Sequence, residues 1–103
     1  MQPATDKEGY LLDLSEWSES LAESMAKQAG IELSPAHWEI IRLVRAFYAE
    51  YEVSPAMRPL VRAVREQLGA DKGNSLYLMK LFPGSPARVV AKIAGLPRPT
   101  NCL

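Results

Sequence analysis

One cysteine and one histidine are all that these 103 residues hold of the side chains that most often bind metals or close disulfides. A single thiol excludes an internal disulfide framework and any multi-cysteine metal centre, and Cys102 with His37 is too small a set to hold zinc. No metal and no cofactor are expected. An excess of charge of one sign is also lacking: twelve basic side chains face twelve acidic ones. That balance argues against non-specific binding to nucleic acid, which rests on phosphate neutralisation. No apolar run approaches the roughly 20 residues that span a bilayer. The start, Met1 Gln2 Pro3 Ala4 Thr5 Asp6, lacks the basic-then-apolar pattern of a secretory signal, so a cytoplasmic location is expected. Ser-His-Asp sets, paired carboxylates and phosphate-cradling glycine loops are missing as well, which excludes a self-contained hydrolase or nucleotide enzyme. The length suits one domain with one modest core.

What is present is unevenly distributed. Residues 1–52 carry four basic side chains against ten acidic, whereas residues 53–103 carry eight basic against two acidic. Arg58, Arg62, Arg65, Lys92 and Arg98 supply much of the positive half, and together they form a candidate face for an acidic partner. The lone thiol stands next to the last residue. In Leu96 Pro97 Arg98 Pro99 Thr100 Asn101 Cys102 Leu103, two prolines spaced by one residue forbid helix, because each lacks a backbone donor and biases its predecessor toward extended geometry. The expectation is a domain over residues 1–95 and an extended arm over 96–103. Eight extended residues at about 3.3 Å each reach on the order of 25 Å, and the arm itself is expected to add nothing to the core.

Along the chain, Asp6 Lys7 Glu8 Gly9 is a turn signal before Tyr10 Leu11 Leu12, predicting a short hairpin or extended segment of small core contribution. From Ser15 or Ser18 to Ala29, Leu21, Met25 and Ala29 recur at helical spacing, and Gly30 caps the end. Ser34 Pro35 Ala36 opens a helix to about Tyr51, with Ile40, Ile41, Leu43, Val44, Phe47, Tyr48 and Tyr51 inward. Its broad apolar stripe marks it as the central core helix, with Trp38 packed and His37 structural. Ser54 Pro55 Ala56 repeats the start signal, making a helix-turn-helix-like corner whose second helix runs through Leu60, Val61, Val64 and Leu68 to Gly69. Gly73 Asn74 Ser75 opens a brief helix, and a third triad, Ser85 Pro86 Ala87, opens the last one, closed by Gly95. The fold class is mainly α: a small helical bundle with a short N-terminal hairpin or extended segment and an extended C-terminal arm.

Three groups of residues carry a resemblance. Lys72 Gly73 Asn74 Ser75, Leu81 Phe82 Pro83 and the run from Lys92 to Leu103 resemble the C-terminal half of the DsrC/TusE family. Glu8 Gly9 Tyr10 Leu11, His37 Trp38 Glu39, and Ser54 Pro55 with Arg58 match its N-terminal half, so the similarity covers nearly the whole chain. The resemblance implies a sulfurtransferase that carries a persulfide on Cys102. It also implies a donor complex of TusBCD type and an acceptor thiouridylase of MnmA type that modifies the wobble uridine of transfer RNA, with the carrier's own contact to RNA indirect. Members from sulfite-reducing organisms have a second cysteine eleven residues before the penultimate one, where this chain has Ala91. That departure points to the one-thiol, TusE-like branch. An accessory of dissimilatory sulfite reductase remains the alternative within the family. Outside it stands a nucleic-acid-binding regulator, suggested by Arg58, Arg62 and Arg65 on the second helix of the corner.

Overall fold

The structure, a computed structural model, describes residues 3–100. Five α-helices lie among them: α1 (Glu19–Gln28), α2 (Pro35–Tyr51), α3 (Met57–Leu68), α4 (Ser75–Leu81) and α5 (Pro86–Ile93). A 3-10 turn at Leu14–Glu16 precedes α1. The expected mainly helical bundle is what the chain forms.

The N-terminal segment is a tight turn, not a decoration. The Asp6 carboxylate accepts from the amides of Glu8 and Tyr10 at 2.9 and 3.0 Å, Gly9 takes a left-handed φ of 92°, and Thr5 and Leu11 form one antiparallel bridge. This geometry turns Tyr10 and Leu11 inward, where they are only 4% and 5% exposed. The expected small core contribution is therefore overturned at Tyr10, which joins the main cluster.

Helix α1 starts where Ser18 Oγ accepts from the amide of Leu21, and it ends at Gly30 with the Ile31 amide bonded back to the Ala26 carbonyl. Its buried residues are Ala22 and Ala26, with Leu21 and Met25 only half-buried and Ala29 exposed. The buried stripe is thus one residue round from the predicted one. Methyl side chains there let α1 lie close against α5.

Helix α2 has the predicted bounds, and Ser34 is its cap. The Ser34 hydroxyl accepts from the His37 amide while His37 Nδ1 accepts from the Ser34 amide at 3.1 Å, a reciprocal capping box with histidine in the usual Glu place. Because Nδ1 accepts, Nε2 carries the proton, and it donates to the Leu81 carbonyl at 2.9 Å. His37 is structural, as expected: it ties α2 to the end of α4 and sets its ring edge-on to buried Phe82. Trp38 packs against the core, with Arg42 5.5 Å above its ring. Tyr51, predicted inward, is 58% exposed, because the core-facing stripe runs out one turn earlier.

The centre of the bundle is α5, not α2. This helix touches all four others, and Pro86, Ala87, Val90, Ala91 and Ile93 are buried on it. Two alanines on a short helix allow several neighbours to approach at once, which a longer stripe of large side chains does not. Arg88 and Lys92 mark its outer side.

Of the three Ser-Pro-Ala triads, the first alone caps a helix through its serine. Neither α3 nor α5 has a side-chain cap bond. Helix α3 begins at Met57, two residues later than the triad predicts, which frees Ser54 for a different partner.

Candidate functional site at the C-terminal segment

The chain leaves α5 through Gly95, whose φ of 74° is left-handed. Its amide bonds to the Lys92 carbonyl and the Leu96 amide to the Ala91 carbonyl, so the helix is closed by a glycine cap. Two side chains hold the last carbonyls. Trp17 Nε1 donates to Ile93 at 2.8 Å, and Arg45 donates to Ala94 at 2.6 Å while its guanidinium stacks 3.8 Å from the Trp17 ring. Burial draws the Arg45 guanidinium below its usual pKa; the carbonyl and the indole face replace the water it has lost.

Beyond Gly95 the segment is held down for four more residues. Leu96 is 3% exposed and belongs to the core. Ser54 Oγ donates to the Pro97 carbonyl at 2.5 Å, Arg98 pairs with Glu8 at 3.2 Å, and Pro99 is buried. The expectation that the arm adds nothing to the core is corrected at Leu96. Its long reach is corrected too, because the segment is seated on the domain through Pro99. Cys102, the expected reactive residue, lies outside the described residues. Two peptide steps separate it from Thr100, which bounds the distance between their Cα atoms at about 7 Å.

Thr100 is exposed and lines a groove of about 430 Å³ between the end of α2 and the start of α3, together with Phe47, Val53, Pro55, Arg58 and Pro59. Of the five basic residues predicted to share a face, Arg58 lies in this groove and Arg62 in an adjoining depression with Glu50 and Glu66. The remaining three are engaged elsewhere. Arg65 donates to the Gly73 carbonyl at 3.1 Å, Lys92 sits 5.2 Å over the Tyr10 ring, and Arg98 holds Glu8. Among the described residues, no group of three or more His, Cys, Asp or Glu side chains is placed to hold a metal.

The family model described as "DsrC like protein" matches residues 1–103. The chain belongs to the DsrC-like family. A protein named "Sulfurtransferase TusE homolog" from Haemophilus influenzae is 57% identical over 99 residues, 96% of this chain and 91% of that protein. "Sulfurtransferase TusE" from Shigella dysenteriae is 56% identical over the same shares. Among solved structures, Allochromatium vinosum DsrC superposes with a TM-score of 0.89 at 48% identity, covering 100% of this chain and 92% of that one. In this DsrC-like chain, reading from sequence missed Trp17, Arg45 and the second use of Ser54. Trp17 carried a faint signal, being a lone large aromatic in the polar run Asp13–Ser20; Arg45 carried another, being a charge beside a wholly apolar helix face.

The Ser54 contact has a measurable consequence. Ser54→Ala removes the donor to Pro97 and is expected to lower stability by about 1 kcal/mol, the ordinary net value of one hydrogen bond. Hydrogen exchange at the Arg98 and Thr100 amides should accelerate more than at any amide of α5. Uniform acceleration across the chain would show instead that Ser54 supports the core and not the segment.

Proposed function

We propose that this chain is a sulfur-relay carrier that accepts a persulfide on Cys102 and passes it on for 2-thiolation of transfer RNA wobble uridine, in the cytoplasm. The observation that supports it best is a segment anchored through Pro99, three residues before the sole cysteine of the chain, whose next residue, Thr100, lines an open groove. Such an arrangement places Thr100, two residues before the thiol in sequence, at the surface beside open space. Its relatives' name, sulfurtransferase, supports the same chemistry.

The transfer is a thiol exchange with no net redox change. The Cys102 thiolate attacks the outer sulfur of a donor persulfide, the donor's S–S bond breaks, and the donor cysteine leaves as thiolate. The next acceptor thiolate then attacks the outer sulfur of Cys102-S-SH and releases Cys102 as thiolate, so the rate follows thiolate fraction and access. Donor and acceptor in this reading are a TusBCD-type complex and an MnmA-type thiouridylase. Neither step uses a cofactor. Among the described residues no helix is long and apolar enough to cross a membrane.

Single-thiol chemistry also separates this carrier from its two-cysteine relatives. Ala91 is 1% exposed and offers no sulfur, so an internal disulfide or trisulfide has no second anchor. A bridge built by Ala91→Cys would require the packing over α5 to open first. Incubation with a persulfidated donor complex followed by intact-mass and peptide mass spectrometry is the direct test. One added sulfur on the peptide that ends at Leu103, removed by the thiouridylase, is the expected result; no added sulfur from any donor would sink the reading.

A further inference from the structure

The groove beside Thr100 has features that a solvated surface does not need. Val53 is 54% exposed and Tyr51 58%, and the Tyr51 ring stacks at 4.7 Å on Phe47, which reaches the groove floor. Between Tyr51 and Val53 the chain turns through Glu52 at a φ of 57°, the sole left-handed non-glycine among the described residues. A side chain in that region is strained, and such strain persists where the surroundings dictate the path of the chain. The turn sets Val53 at the lip of the groove. At the other side stands Arg58, which has no ion-pair partner among the described residues and no carboxylate among the groove's lining. Phe47 and Pro59 also line the adjoining depression, where Arg62 is accompanied by Glu50 and Glu66.

We propose that this groove is the docking surface for the protein that exchanges sulfur with Cys102, and that it takes an extended segment placing an apolar side chain between Val53 and Phe47 and an acidic group against Arg58. The proposal rests on the carrier reading, and it identifies where the partner sits. Position argues for that occupant: Thr100 lines this groove and stands two residues before the thiol in sequence, so a partner that reaches Cys102 comes close to it. At the Thr100 end the one charged side chain lining the groove is Arg58, which favours an acidic group at that point. An exposed apolar surface with a cation at its edge that has no ion-pair partner among the described residues fits a partner segment with a carboxylate next to its hydrophobic anchor.

The test compares two sulfur sources on the full chain: glutathione persulfide, and the persulfidated TusBCD-type donor complex. Val53→Glu and Arg58→Glu alter exposed side chains and are checked for unchanged unfolding. Each should lower the ratio of the protein-donor rate to the glutathione-persulfide rate by about tenfold or more, the Arg58 effect growing as salt is lowered. Leu76→Glu, at a 69% exposed position on α4, should leave that ratio alone. A ratio unchanged in both groove variants overturns the proposal while leaving the carrier intact. Equal slowing with both sources also overturns it, since the groove would then be seating the chain's own last residues. A wild-type chain loaded by neither source overturns the carrier reading and the docking surface together.

Discussion

Cys102→Ser should abolish sulfur loading and leave the unfolding transition where it is. A serine hydroxyl is not a thiolate at neutral pH and forms no persulfide, so the loss is complete and not graded. Stability should hold because the core among the described residues, which reaches Leu96, and the contacts through Pro99 are made by residues the substitution leaves unchanged. The pair of measurements is persulfide mass analysis and chemical denaturation. Residual loading in the Ser variant would transfer the chemistry to a different nucleophile; a large drop in stability would mean that the thiol is part of the fold.

Gly95→Ala should lower stability sharply. A Cβ there would stand 2.3 Å from Trp17 Cδ1 and 2.6 Å from Cγ, so the indole must move. Holding a non-glycine residue in the left-handed region adds about 1–2 kcal/mol, and overpacking adds about 1–3 kcal/mol more. The sum, about 2–5 kcal/mol, is a large share of the stability of a small domain, on the order of 5–15 kcal/mol. Displacing the indole also breaks its bond to the Ile93 carbonyl and its stacking on Arg45, so the start of the C-terminal segment loosens with the core. In the background of Trp17→Ala the two closest clashing atoms are gone and only the contact with the residue-17 Cβ, at 2.8 Å, remains, so the cost of Gly95→Ala should shrink toward the backbone share. Additive losses in that double-mutant cycle would disprove the proposed contact.

The sequence made legible what is decided locally. Ser34 with Pro35 announced the start of α2, and the residues that answer it, His37 and the first-turn amides, lie within three positions. An identical triad at Ser54 was misleading because its partner is the Pro97 carbonyl, forty-three positions away, and no local signal reports that. The same distance problem hid the role of Arg98. Its basic charge was visible, but its partner Glu8 is ninety positions away. Lys72 and Glu39 likewise join the basic half to the acidic half at 2.9 Å, so part of the charge separation is spent holding the two halves together. Burial of Tyr10 and the central place of α5 were illegible for a related reason: alanines give weak periodic signals, yet they are what lets neighbouring elements come close. The reactive residue was readable from its singularity and from the family tail, and the groove beside it was not, because Phe47, Val53, Arg58 and Thr100 meet only in the fold.

The alternation of Pro97 and Pro99 has one more effect, on how the segment can be recognised. In an extended chain, residues two apart turn their amides to the same side, and here that side offers no donor at either position. The amides of Arg98 and Thr100 point the other way, and that of Leu96 is already bonded to Ala91. One edge is therefore closed to β-ladder pairing, and the segment cannot become an inner strand of a partner's sheet or stack with copies of itself as a two-sided strand. Anything that pairs with its backbone amides must come from the Arg98 and Thr100 edge; from the other it must grip side chains, or carbonyls such as the one Ser54 already holds.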